Sequence, residues 1–115
     1  MSLRIDTDGD VVIARVSGEV DLANASAISA DLSSQVPNDA LGVVLDLTET
    51  TYFDSSGVQL VFDLLERLGQ RQQELRLSVP EDAAIRRVLR VVRLNETVPI
   101  LPTVEEAVTE LRSAG

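Results

Sequence analysis

Apolar and polar residues alternate from the start of the chain, with Leu3, Ile5 and Thr7 set against Arg4 and Asp6, and a second apolar run follows from Val11 to Val16. Period-two alternation predicts strands, and Asp8-Gly9 between the runs predicts a tight turn, hence an N-terminal hairpin. Gly18-Glu19-Val20-Asp21 continues it as a strand end or loop. Ala25, Ile28, Leu32 and Val36 then recur at helical spacing and predict a first helix, which Pro37-Asn38-Asp39 ends. Gly42-Val43-Val44-Leu45-Asp46-Leu47 is too short for a helix and rich in branched residues, so it reads as a buried strand. The helix before it implies parallel pairing to an earlier strand.

Val58, Val61, Leu64, Leu65 and Leu68 predict an amphipathic helix from about Ser56 to about Gln72. Gln70 to Glu74 is a polar link, and Leu75, Leu77 and Val79 alternate with Arg76 and Ser78 as a further strand. Pro80 starts the next predicted helix, with Ile85, Val88, Leu89 and Val92 on its inner side. Val98 to Leu101, with prolines around Ile100-Leu101, reads as a short edge strand. Thr103-Val104-Glu105-Glu106 is a capping box ahead of a last helix whose buried face is Val104, Ala107, Val108 and Leu111. Strands alternating with helices after one hairpin predict an α/β domain with a mixed, mostly parallel sheet and about four helices.

Composition narrows the chemistry. At 115 residues and 44% hydrophobic, the chain suits one domain over 1–115. Nineteen acidic against ten basic residues give a formal net charge of -9, which disfavours nucleic acid and anionic membranes and suits a basic protein partner. There is no cysteine and no histidine, and every basic residue is arginine. That removes thiolate chemistry, the Ser-His-Asp triad, histidine metal ligands, the Walker A lysine and Schiff bases. The expectation is a binding protein without cofactor or metal, not an enzyme. With no signal peptide and no apolar run near 18 residues, the expected location is the cytoplasm.

The remaining chemistry gathers at Tyr52-Phe53-Asp54-Ser55-Ser56-Gly57-Val58-Gln59, where an apolar strand gives way to the central helix. A helix N-terminus has unpaired N–H groups and a partial positive charge, and it tolerates or attracts a phosphate. Ser56 and Gln59 fit the S-x-x-Q capping box, which would make Ser56 structural and leave the Ser55 hydroxyl free. Gly57 would let another backbone approach closely. On these residues alone, the stretch is either a polar loop with a cap or a modifiable site. Asp21 reads as a turn or cap residue, Asn24 as a cap, and Asp46 as a strand-end carboxylate that caps a loop or serves a site. Arg86, Arg90 and Arg93 line one side of the third helix, either as a solvated face or as a contact for phosphate or an acidic partner.

Asp54-Ser55-Ser56-Gly57 after a Val-Val-Leu-Asp-Leu strand, with Gly18-Glu19-Val20-Asp21 upstream, resembles the STAS family, and within it the bacterial anti-sigma factor antagonists. The resemblance runs from about Leu3 to about Leu111. It implies the STAS fold and no catalysis. It also implies that Ser55, first serine of the D-S-[ST]-G motif, is phosphorylated by the anti-sigma factor, itself a serine kinase, with a serine phosphatase as a possible second partner. Asp21 would lie beside that serine, and Asn24, Asp54, Ser56, Gly57 and Val58 would share the partner surface. Leu22-Ala23-Asn24 departs from antagonists that carry histidine or threonine there. Other readings are a stressosome-like scaffold, a STAS subunit of a lipid-transport ATPase, and a nucleotide-binding protein, which lacks the expected glycine-rich loop.

Overall fold

The computed structural model describes residues 2–114. Its elements in order are β1 (Ser2–Asp8), β2 (Val11–Val20), α1 (Ala25–Gln35), β3 (Gly42–Asp46), β4 (Thr50–Phe53), α2 (Ser55–Gly69), β5 (Glu74–Ser78), α3 (Ile85–Val91), β6 (Ile100–Leu101) and α4 (Val104–Ala114), with a short 3-10 turn at Leu94–Glu96. β1 pairs antiparallel with β2, from Ser2 opposite Ser17 to Asp8 opposite Val11, so Gly9 and Asp10 form a two-residue turn. Gly9 takes a positive φ of 60°, which a tight hairpin demands and glycine supplies at no steric cost. β2, β3, β5 and β6 follow in parallel, giving the order β1-β2-β3-β5-β6, and β4 pairs parallel with the far end of β2.

Both faces of the sheet are covered. Val12, Ala14, Val16, Val43 and Leu45 face a core filled by Ile28 and Leu32 of α1, Val61, Leu64 and Leu68 of α2, and Ile85 and Leu89 of α3. Val11, Ile13 and Val44 face the other way, under Ala107, Val108 and Leu111 of α4. This double burial explains the apolar run Val43-Val44-Leu45 within β3, all five residues of which are buried. Each fully buried Leu or Val contributes about 1.5–3 kcal/mol relative to exposure.

The structure departs from the sequence reading at several elements. β4 is a separate strand, reached from β3 through a turn that Asp46 caps: its Oδ1 accepts the Thr48 N–H at 3.0 Å, while Oδ2 accepts Arg15 Nε at 3.2 Å. Asp46 is therefore a structural carboxylate. Arg76, on the polar side of the alternation in β5, is not at the surface. It is 6% exposed, and its guanidinium pairs with Glu110 of α4 and donates to the Leu75 carbonyl at 2.9 Å. α2 spans Ser55–Gly69, ending short of Gln72, which has a positive φ. α3 starts at Ile85, because Pro80 opens a turn closed by the Ala83 N–H on the Pro80 carbonyl at 3.1 Å. Val92 is exposed, so the inner side of α3 is Ile85 and Leu89, with the half-buried Val88 packed against the same core.

A polar tie joins α1 to α2. Ser29 Oγ donates to Asp63 Oδ2 at 2.6 Å, and Arg67 Nε donates to the same oxygen at 3.2 Å. The Ser29 hydroxyl, opposed by desolvation and helped by Arg67, holds the Asp63 carboxyl below its ordinary value. A carboxylate depressed in the folded state adds stability above its unfolded pKa of about 3.9 and loses it as pH falls through the lower folded value. Asp63→Asn is therefore expected to cost about 0.5–1 kcal/mol near neutral pH. In urea unfolding series, the difference from wild type should shrink as pH is lowered below the unfolded carboxylate value of about 3.9.

Candidate functional site

The carboxyl ends of β2 and β4 lie side by side, with Glu19 opposite Tyr52 and Val20 opposite Phe53. The chain then leaves β2 into the Asp21–Asn24 turn and leaves β4 into α2, which brings the two predicted motifs together. A register shift between Gly18 and Glu19 accompanies the crossing, and Gly18 has a φ of 87°.

The first motif folds back on itself. Asp21 N–H donates to Asn24 Oδ1 at 3.1 Å, Ala23 N–H to Asp21 Oδ1 at 3.0 Å, and Asn24 Nδ2 to the Glu19 carbonyl at 2.9 Å. Asn24 is the N-cap of α1 by position, yet its side chain makes no cap bond and ties the turn to β2 instead. This fixed turn leaves Leu22 86% exposed. Leu22 was missed by sequence reading: its spacing of three from Ala25 continues the Ala25-Ile28-Leu32 stripe, but it lies in the turn before α1 begins.

At the second motif the cap is Asp54, not Ser56. Asp54 Oδ1 accepts the Ser56 N–H at 2.8 Å, and Oδ2 accepts the Tyr52 hydroxyl at 3.1 Å. The S-x-x-Q box is not formed, because β4 runs through Phe53 and makes Asp54 the first residue free to cap. Partial desolvation raises the Asp54 carboxyl, but the Ser56 N–H, the Tyr52 hydroxyl, the Gly57 N–H and the Ser56 hydroxyl outweigh it and hold the group below its ordinary value. The same bond to Asp54, with that carboxylate's charge, pushes the Tyr52 phenol up. Asp54→Ala is accordingly expected to lower the unfolding temperature, and Ser56→Ala to leave it nearly unchanged, in thermal unfolding of the two variants.

Ser55 is the first residue of α2 and is exposed. With both Asp54 oxygens engaged elsewhere, its hydroxyl has no hydrogen-bond partner among the described residues. Gly57 and Val58 are buried beneath the exposed Ser55 and shape the site from below. The close neighbour of Gly57 is the Phe53 ring, which a Cβ would meet at 2.6 Å, and not another backbone. The ring under the glycine fixes how α2 leaves β4. Beside Ser56 a groove of about 270 Å³ opens between α1 and α2, lined by Leu22, Ala25, Ser29, Gln59 and Leu60 among others. Among the described residues no helix is long and apolar enough to cross a membrane.

Such a site can present one free hydroxyl at a helix N-terminus, between a fixed turn and an apolar groove. Comparison with known proteins agrees with the fold. The STAS domain family matches residues 2–107. BtrV of Bordetella bronchiseptica, which bears the name of an anti-sigma factor antagonist, is 31% identical over 99% of this chain and 97% of its own. The crystal structure of an anti-sigma factor antagonist from Mycobacterium paratuberculosis superposes with a TM-score of 0.84 at 25% identity, covering 96% of this chain and 93% of that one. SpoIIAA in its unphosphorylated form shares the fold, with a TM-score of 0.77 at 24% identity and 97% of each chain covered. The chain belongs to the STAS domain family and, within it, to the anti-sigma factor antagonists.

Proposed function

We propose that the protein is an anti-sigma factor antagonist that works as a phosphorylation-gated binding switch, and that it acts by occupying a partner instead of by catalysis. The observation that carries this reading is the state of Ser55: exposed, at the first position of α2, with its hydroxyl uncommitted while Asp54 caps the helix. Unphosphorylated, the surface formed by Leu22, Asn24, Tyr52 and Ser55 docks on a serine-kinase anti-sigma factor and frees the sigma factor. That kinase phosphorylates Ser55 and ends the interaction, and a serine phosphatase restores it.

The electrostatics support a gate that spares the fold. A phosphate on Ser55 adds about -1.5 to -2 charges. The α2 N-terminus favours that charge by about 0.3–1 kcal/mol, which helps the free protein accommodate it beside Asp54. In the complex the same charge has to be desolvated against a partner that matched a neutral hydroxyl. The cost therefore falls on the interface.

The test is a displacement experiment. Adding the unphosphorylated protein to a preformed complex of sigma factor and anti-sigma factor should release free sigma factor on size-exclusion chromatography, and Ser55→Asp protein at the same concentration should not. Retention of the sigma factor with every kinase-type anti-sigma factor of the same genome contradicts the reading.

A further inference from the structure

The arginines of this chain are unevenly used. Four of the ten lie between residues 86 and 93, a stretch without a carboxylate, which leaves six against all nineteen acidic residues elsewhere. Five of those six face a carboxylate, as Arg76 faces Glu110. Arg71 donates to the Ser33 carbonyl at 2.8 Å, and Arg86 to the Val79 carbonyl at 2.9 Å, which removes Arg86 from the row that spacing alone suggested. Arg87, Arg90 and Arg93 are exposed and have no ion pair or side-chain hydrogen bond among the described residues. Between them Val91 and Val92 stand 75% and 44% exposed. Arg93, with a φ of 58°, turns the chain from α3 into the 3-10 turn, whose Leu94 is buried.

Three unpaired arginines around two bare valines, on a protein that pairs its other arginines, suit an acidic surface with an apolar centre. The placement adds to the chemistry. α3 begins beyond the carboxyl end of β5 and packs against β4, whose carboxyl end leads into Ser55. We propose that Arg87, Arg90, Arg93, Val91 and Val92 form a second contact for the anti-sigma factor, which meets them with a carboxylate-rich surface. This rests on the function proposed above. The two contacts divide the work: exposed charges of this kind raise the association rate, while the desolvated Ser55 site governs dissociation.

The experiment measures association and dissociation of the full-length protein on the immobilised anti-sigma factor by biolayer interferometry, at 50 and 500 mM NaCl. It compares wild type with Arg87→Glu/Arg90→Glu/Arg93→Glu and with Ser55→Asp. All three replaced arginines are exposed, so the triple variant should unfold at the wild-type temperature, and circular dichroism checks this. Its association is expected to be about tenfold slower than wild type at 50 mM and nearly equal at 500 mM, because salt screens exposed charges beyond about 10 Å at 0.1 M. Ser55→Asp is expected to change dissociation instead. Equal association rates for triple variant and wild type at low salt overturn this contact and leave the role of Ser55 standing. A slowed triple variant beside an unaffected Ser55→Asp supports the contact and overturns the gate. If no anti-sigma factor binds the wild type, both fall.

Discussion

A Ser55→Asp protein is expected to bind the anti-sigma factor about 100-fold more weakly than wild type, a loss of about 2.7 kcal/mol, while its unfolding temperature moves by no more than a few degrees. The contrast follows from where the residue sits. At the first position of α2 an added carboxylate meets the positive end of the helix, so the fold gains or loses little. In a complex that carboxylate would be buried next to Asp54 and near Asp21, and like charges brought together in a desolvated interface cost several kcal/mol. Ser55→Ala removes only a hydroxyl and should bind within about threefold of wild type. Isothermal titration of the three proteins reads the difference directly. Equal weakening in Ser55→Ala and Ser55→Asp would assign the effect to a lost contact and remove charge as the gate.

The largest effect on stability is expected from Gly42→Ala. Gly42 opens β3 opposite Glu74 of β5, and a Cβ there would lie 2.2 Å from the Glu74 carbonyl oxygen and 2.9 Å from its nitrogen and carbonyl carbon. A flexible side chain could turn away from such a contact, but these are backbone atoms in the centre of the sheet. The parallel pairing of β3 with β5 has to open at that end, at a cost of about 3 kcal/mol. Gly69→Ala is the internal control. It closes α2, no atom would lie within 4 Å of its Cβ, and alanine is the better helix former, so a gain of about 0.5–1 kcal/mol is expected. Urea unfolding midpoints of both variants test the pair. A stable Gly42→Ala protein would mean that β3 and β5 are not in this register.

The parts of the fold that were legible in the sequence are those where side chains record burial. The Ala25-Ile28-Leu32, Val61-Leu64-Leu68 and Ala107-Val108-Leu111 stripes each face one core, and the solid apolar run of β3 reflects cover on both faces. β4 left no such record. Of its four residues only Phe53 is buried, and what makes it a strand is backbone pairing to the end of β2. That omission displaced the cap as well. Asp54 and Ser56 both carry side chains suited to capping, and only the end of β4 decides between them. The burial of Arg76 was not legible for a different reason: its partner Glu110 is distant in sequence, and no local pattern announces a buried guanidinium. At the site, Asp21, Asn24 and Ser55 stood out in sequence, and the structure brings their two motifs to one edge. The exposure of Leu22 and Tyr52, by contrast, depends on how the turn and β4 are held.

The central claim is that Ser55 is the phosphate acceptor of a kinase-type anti-sigma factor. Intact-mass spectrometry after incubation with ATP and each candidate factor of the same genome tests it most directly, on wild type, Ser55→Ala and Ser56→Ala. The account predicts one added phosphate on wild type and on Ser56→Ala, and none on Ser55→Ala. A phosphate that persists on Ser55→Ala, or none on wild type with any candidate, would contradict it and leave Ser55 as the first residue of a helix and nothing more.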